Sequence, residues 1–236
     1  MCGRYSLAGP DPHDLRARFP LGEQVVVRRR FNVAPGDDVV TVTTDRDGAP
    51  RGDVLRWGLV PHWAEDPKIG VRMINARAET IAEKPAFRDA FARRRCLVVA
   101  DGFFEWERGP GNAKRAWWVT RADEQPFAFA GIWATWRPAG GDGVEPLRTC
   151  AIVTTTANAR VAAIHDRMPV ILSAGAEEAW LDLGTPPREL RELLVPLSEA
   201  ATAARRVGDA VNDARHDEAD CLDPPQPEPD RAPTLF

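Results

Sequence analysis

Apolar and polar residues alternate along much of this chain in blocks of five to ten residues, the period of half-buried strands rather than of long helices. Runs rich in β-branched and aromatic residues predict strands at Val39–Thr44, Val54–Val60, Cys96–Ala100, Phe103–Glu107, Ala116–Thr120, Phe127–Trp136 and Thr149–Thr156. A short strand is expected over residues 1–7 and another over Met168–Leu172. Helical spacing appears in Asp11–Phe19, where Leu15 and Phe19 share a face, Asp11 supplies a cap and Pro12 enters the first turn. It recurs in Lys84–Arg95, Asn158–Ile164, Glu177–Leu183 and Arg188–Leu194. Turns are expected at Phe31–Gly36, Asp45–Gly52, Gly109–Lys114 and Ala139–Val144. No repeat or linker interrupts residues 1–212. The pattern therefore predicts an α+β fold: a single domain on a mainly antiparallel, barrel-like β-sheet with a few peripheral helices. The domain is placed at residues 1–222, and the acidic, proline-rich tail at 223–236 is expected to be disordered.

Composition narrows the class. With 236 residues, 44% hydrophobic and 28% charged, the chain has enough apolar material for a core but no run approaching a membrane span. No secretory segment is visible, so a cytoplasmic location is the expectation. The four cysteines, Cys2, Cys96, Cys150 and Cys221, form no CxxC pair. Cys96 and Cys150 read as inert core thiols, and Cys221 as part of a mobile tail. The histidines lack metal-ligand spacing, so neither a metal nor another cofactor is expected. The net charge is −4, but residues 1–120 carry 20 Lys and Arg against 16 Asp and Glu, while residues 121–236 carry 11 against 19. All but three of the 31 basic residues are arginine, the better phosphate fork, although a GC-rich coding sequence gives the same bias. A local basic groove for nucleic acid is compatible with that distribution.

Several polar residues stand where chemistry is possible. Removal of Met1 would leave an α-amine and a thiol together on Cys2, with ordinary pKa values of about 8 and 8.5. The amine can attack an aldehyde to give an imine, and the thiol can then close on the imine carbon to form a thiazolidine. By position alone, the commoner reading of such a cysteine is an incidental surface residue. Glu105 lies among aromatics in Asp101-Gly102-Phe103-Phe104-Glu105-Trp106-Glu107. Alternation puts Phe103, Glu105 and Glu107 on one face, where burial would raise a carboxyl pKa toward general acid–base use; a strand-edge salt bridge is the plainer alternative. His165, between Ile164 and Asp166, suits a proton shuttle or a structural hydrogen bond. Asn75 and Arg77 point the same way in an extended segment and suit a sugar or phosphate contact, or ordinary loop hydrogen bonds. Trp57 and Trp63 flank a turn and, if exposed, offer a stacking surface for unpaired bases.

Eight ordered segments bind these residues together: Met-Cys-Gly-Arg-Tyr at 1–5, Asn-Val-Ala-Pro at 32–35, Arg-Trp-Gly-Leu-Val-Pro-His-Trp at 56–63, Ile-Asn-Ala-Arg-Ala-Glu-Thr at 74–80, Ala-Asp-Gly-Phe-Phe-Glu-Trp at 100–106, Ala-Gly-Ile-Trp at 130–133, Val-Thr-Thr-Thr-Ala-Asn at 153–158 and Ile-His-Asp-Arg-Met-Pro-Val at 164–170. In that order they resemble the SOS-response-associated peptidase family, also called abasic-site processing proteins. The resemblance runs from Cys2 to about Leu183. It implies a compact, mostly β domain with a groove for single-stranded DNA. It implies that Cys2, exposed by self-removal of Met1, forms a thiazolidine crosslink with the ring-opened aldehyde of an abasic site. Asn75 would position the amine and the sugar, Glu105 would promote ring opening and proton transfer, and His165 would assist imine chemistry, its reversal and β-elimination. Arg4, Arg77 and Arg167 match arginines near the DNA backbone, and Pro35 and Trp57 match positions that shape the groove. The implied partner is single-stranded DNA bearing abasic sites, including DNA at replication forks. The protein is expected to be monomeric, nucleoid-associated, off the membrane and free of any metal. Residues 199–211 are longer and richer in Ala and Arg than the family pattern, which places a turn and a strand there. Three other readings stay open: a thiol peptidase acting on other proteins through Cys2, His165 and Glu105, a non-covalent reader of single-stranded DNA using Trp57, Trp63 and Arg77, and a structural protein whose polar motifs serve folding only.

Overall fold

The computed structural model describes residues 2–109, 113–138, 140 and 143–226. Its strands are β1 (Tyr5–Leu7), β2 (Arg30–Val33), β3 (Asp38–Thr44), β4 (Pro50–Trp57), β5 (Asn75–Arg77), β6 (Arg95–Ala100), β7 (Gly102–Arg108), β8 (Lys114–Arg121), β9 (Phe127–Trp136), β10 (Leu147–Thr156), β11 (Arg167–Pro169), β12 (Ile171–Leu172) and β13 (Thr202–Arg206). Short helices α1 (Pro12–Arg18), α2 (Arg88–Arg93), α3 (Ala159–Ala162), α4 (Ala174–Leu181) and α5 (Pro187–Glu192) lie between them.

Strand pairing closes a ring. β4 pairs with β3, β3 with β6, β6 with β9 and β9 with β10, all antiparallel, and β10 returns to β4 in parallel. The result is the α+β, barrel-based single domain that the alternation predicts. A second sheet, in the order β13-β8-β7-β1-β2, is antiparallel throughout. Alternation assigns the cores. In β6, Leu97 and Val99 join Leu15, Phe91, Trp180 and Leu190 from the helices, while Cys96, Val98 and Ala100, on the opposite face, join Trp57 and Phe129 of the barrel and Tyr5 and Phe103 of the second sheet. The far face of the second sheet, with Phe104 and Ala116, is covered by Val207, Val211 and Cys221. Among the described residues no helix is long and apolar enough to cross a membrane.

Local chemistry explains where elements begin. The Asp11 carboxylate accepts from the His13 N–H at 2.8 Å and Pro12 occupies the first turn of α1. Asn158 caps α3 by accepting from the Val161 N–H at 3.0 Å. In the second sheet Tyr5 stands opposite both Phe103 and Val33, and the Phe104 N–H donates to the Arg4 carbonyl at 3.0 Å. Carried on, that antiparallel register brings the first residues of the chain alongside Glu105.

Four expectations are corrected. Phe31–Gly36 is not all turn, because Arg30–Val33 form β2 and the turn follows it. The helix in Lys84–Arg95 is confined to Arg88–Arg93: Pro85 disfavours helical backbone at Lys84, and Arg95 already belongs to β6. Met168–Leu172 is two strands, since the chain passes from β10 to β9 at Val170. Cys221, read as part of a mobile tail, is fully buried, and the chain around it is docked as far as Asp223. The predicted turns at Gly109–Lys114 and Ala139–Val144 lie partly outside the described residues, as do residues 227–236 of the expected disordered tail. Residues 202–206 form β13, the strand that the family pattern places there.

One carboxylate ties the docked strap to the backbone of β2. Asp217 accepts from the Phe31 N–H at 2.6 Å and the Asn32 N–H at 2.8 Å, and also from the Arg30 guanidinium. Asp217→Ala should lower stability by roughly 2–3 kcal/mol, because two backbone donors at the sheet edge lose their acceptor. A thermal melt checks this. An unchanged midpoint would mean that water replaces the carboxylate without cost.

Candidate active site

The barrel and the second sheet meet at the amino end of the chain. Cys2 is completely buried. Its carbonyl accepts from Asn75 Nδ2 at 2.7 Å, which fixes the amide orientation and leaves Asn75 Oδ1 buried with no hydrogen-bond partner among the described residues. Asn75 is presented by β5, which runs parallel to β10 with Asn75 opposite Ile152. The Trp57 indole N–H donates to the Ile74 carbonyl at 2.9 Å and supports this strand from behind.

Glu105 sits in the middle of β7, opposite Trp117, with 2% of its surface exposed. Burial raises its pKa to about 7, and the positive charge at the amino end of the chain pulls the other way. The carboxyl therefore carries its proton near neutral pH about as often as not. The Cys2 thiol is pushed well up, chiefly by burial and then by the Glu105 charge, and Sγ donates weakly to the Arg4 carbonyl at 3.8 Å. It is a neutral S–H.

His165 follows α3, its N–H bonded to the Val161 carbonyl at 2.8 Å. Its Nδ1 accepts from the Arg167 N–H at 3.0 Å and also lies 3.0 Å from Asp166 Oδ1. These contacts make opposite demands, since an ion pair needs a protonated Nδ1 and the Arg167 N–H needs its lone pair. The Asp166 side chain is 86% exposed, and burial lowers the His165 pKa, which favours the neutral ring with hydrogen on Nε2. A cleft of about 440 Å³ opens beside it, lined by Trp106, Arg108, Ile164 and His165 among others.

The residues expected at DNA are distributed differently. Arg77 is exposed at the end of β5, and Pro35 is exposed after β2. Arg4 is half-buried, with Nη1 donating at 2.9 Å to Asn32 Oδ1 and to the Val211 carbonyl. Arg167 grips Glu79 with both terminal nitrogens, at 2.5 and 3.0 Å, and its side chain is 13% exposed. Trp57 is 1% exposed with its N–H committed to the Ile74 carbonyl, so its ring is not the exposed surface that the stacking reading required. Trp63 is exposed. Two residues escaped the sequence reading. Glu79 ties the segment of Asn75 and Arg77 to that of His165 and Arg167, and Trp106 both lines the cleft and donates to Asn212 Oδ1 at 2.7 Å. Glu79 lies inside a quoted motif, but its partner is 88 positions away and leaves no periodic trace.

The chain matches the family model described as SOS response associated peptidase over residues 1–214. It is 41% identical over 229 residues to the abasic site processing protein YoaM of Bacillus subtilis, covering 94% of this chain and 98% of the relative. It is 35% identical over 193 residues to the abasic site processing protein HMCES of Gallus gallus, covering 72% of this chain and 56% of the longer relative. A solved structure of a protein from Bacteroides thetaiotaomicron superimposes with a TM-score of 0.83 at 27% identity, covering 94% of this chain and 99% of that one.

Proposed function

The chain belongs to the SOS response associated peptidase family, whose matched relatives are named for abasic-site processing, and from that premise we propose that it captures abasic sites in single-stranded DNA through Cys2 once Met1 has been removed. The observation that carries this reading is the convergence of Asn75 and Glu105 on the amino end of the chain, at a cysteine whose thiol is held neutral.

The order of steps follows from the protonation states. With the thiol raised, the α-amine is the stronger nucleophile and attacks the aldehyde carbon of the ring-opened sugar first. Asn75 Oδ1, a buried acceptor, is available to orient an amine N–H or a sugar hydroxyl. The protonated Glu105 carboxyl gives its proton to the departing hydroxyl, so that water leaves and the imine forms. The resulting carboxylate then takes the thiol proton as sulfur bonds to the imine carbon, and the nitrogen lone pair is restored in the thiazolidine. His165, neutral with hydrogen on Nε2, serves proton exchange at the cleft in the reverse, imine-forming direction and in β-elimination. Hydrolysis of the Met1–Cys2 peptide bond by the same groups is the self-processing peptidase step.

A thiol peptidase acting on other proteins is disfavoured by the raised Cys2 pKa, because a Cys–His pair works through a depressed thiol and a raised imidazole. Incubation with a single-stranded oligonucleotide carrying one abasic site should give a heat-stable, higher-mass band on a denaturing gel. The same strand with its aldehyde reduced to the alcohol should give none. Equal bands from both would reject aldehyde capture.

Reversible binding to intact single strands should also weaken as salt rises, with log K falling by about 0.7 per log[salt] for each phosphate neutralised. Arg77→Ala should flatten that slope by about one such increment, whereas a slope unaltered by the substitution would remove Arg77 from the phosphate path. Residence with DNA in the cytoplasm, action at replication forks and a monomeric state belong to the same proposal.

A further inference from the structure

The docked strap after β13 brings three ligand-type side chains together away from Cys2. His216, Asp220 and Cys221 each offer one donor atom, and these atoms lie within 4.8 Å of one another. His216 Nε2 is 2.6 Å from Asp220 Oδ1, and Cys221 Sγ lies 3.5 Å from the His216 carbonyl. The backbone around them is anchored on both sides. Asn32 Nδ2 donates to the carbonyls of Asp213 and His216 at 2.9 and 2.8 Å, and Asp217 holds the Phe31 and Asn32 N–H groups. Cys221 sits on an apolar floor with Phe104 and Val211, while the His216 and Asp220 side chains are 37% and 52% exposed, so a cation could enter from solvent.

We propose that His216, Asp220 and Cys221 form a binding site for a zinc-type divalent cation that closes the strap upon itself where it lies on the second sheet. One nitrogen, one carboxylate oxygen and one sulfur are the donor set of such borderline cations, and disfavour Mg²⁺ and Ca²⁺, which take oxygen. Tetrahedral zinc with bonds of about 2.0–2.3 Å needs its donors roughly 3.5 Å apart, so modest side-chain rotation suffices, with water completing the fourth position. Binding breaks the His216–Asp220 hydrogen bond and forms bonds from the metal to imidazole nitrogen, carboxylate oxygen and sulfur; the hydrogen on the ligating ring nitrogen passes to the other ring nitrogen or, from a protonated ring, to solvent, and the Cys221 thiol proton is released to solvent.

Cobalt(II) reports on the site because a cobalt–thiolate bond gives a charge-transfer absorption band. The titration uses the full chain with Cys2→Ser, so that the amino-terminal cysteine cannot contribute. The expected result is a saturable band at one cobalt per chain, displaced by zinc. Adding Cys221→Ser should abolish it. His216→Ala and Asp220→Asn, at exposed positions that leave the buried sulfur in place, should each weaken affinity by more than about 100-fold, beyond what loss of an outer hydrogen-bond partner costs. Zinc should also raise the melting temperature of the protein but not that of the His216→Ala variant. Absence of a thiolate band, or a band that survives His216→Ala and Asp220→Asn at undiminished affinity, would overturn the proposal.

Discussion

Replacing Cys2 by serine is expected to abolish the heat-stable adduct with abasic single-stranded DNA while leaving a transient imine that borohydride can trap. The substitution keeps the α-amine, the Asn75 hydrogen bond to the residue 2 carbonyl and nearly the same volume. Only the sulfur is lost. An imine in water hydrolyses readily, whereas ring closure by sulfur removes the electrophilic C=N bond, and a serine hydroxyl is a far poorer nucleophile for that closure. The surviving adduct after heating should fall by at least about 100-fold, the equivalent of some 2.7 kcal/mol. Wild-type amounts of adduct from the serine variant would eliminate the thiazolidine. Loss of borohydride-trapped imine as well would mean that the thiol, not the amine, attacks first.

Glu105→Gln should separate chemistry from binding. Glutamine keeps the shape of the side chain but cannot exchange a proton, so crosslinking should slow by about 10²–10⁴-fold, while affinity for an intact single strand stays within a small factor. The same substitution has a stability signature. Burial lifts the Glu105 pKa to about 7 from an ordinary 4.5, so the folded protein binds more protons than the unfolded chain between those values. The stability held by the neutral carboxyl is fully present below about pH 4.5 and is lost as pH rises through about 7, a loss on the order of 3 kcal/mol once complete. The glutamine variant should therefore melt higher than wild type at pH 8 and show much less of the wild-type decline between pH 5 and 8. A variant that is slower, binds DNA worse and melts lower at pH 8 would assign Glu105 to the scaffold.

Part of this arrangement is legible in the sequence because its causes are local. Asp11 and Pro12 announce α1 through capping and backbone preference, and alternation in β7 separates Phe103 and Glu105 from Phe104, which packs under the strap. The proposed grouping of Cys2, Asn75, Glu105 and His165 is not local, since those residues span most of the chain and only their resemblance to a family brings them together in advance. What stays hidden has partners far away. β2 is four residues long, and two of its N–H groups are satisfied by Asp217, more than 180 positions downstream. Its acidic composition and the proline-rich segment that follows it make the strap look unstructured, yet Asn32, Arg4 and Asp217 lock it down. Trp57 carries the same letters whether its ring faces solvent or core, and only the packing of Tyr5 against it, 5.4 Å between ring centroids, decides the matter. Metal-ligand patterns built on paired cysteines or paired histidines pass over a histidine followed four and five residues later by aspartate and cysteine.

The most direct measurement is intact mass followed by peptide mapping, before and after incubation with a single-stranded oligonucleotide bearing one abasic site. The expected result is a protein lacking Met1, then a heat-stable species heavier by one oligonucleotide less one water, with the added mass on the amine and sulfur of Cys2. A stable adduct on a protein that retains Met1, or one that maps to any other residue, would contradict it.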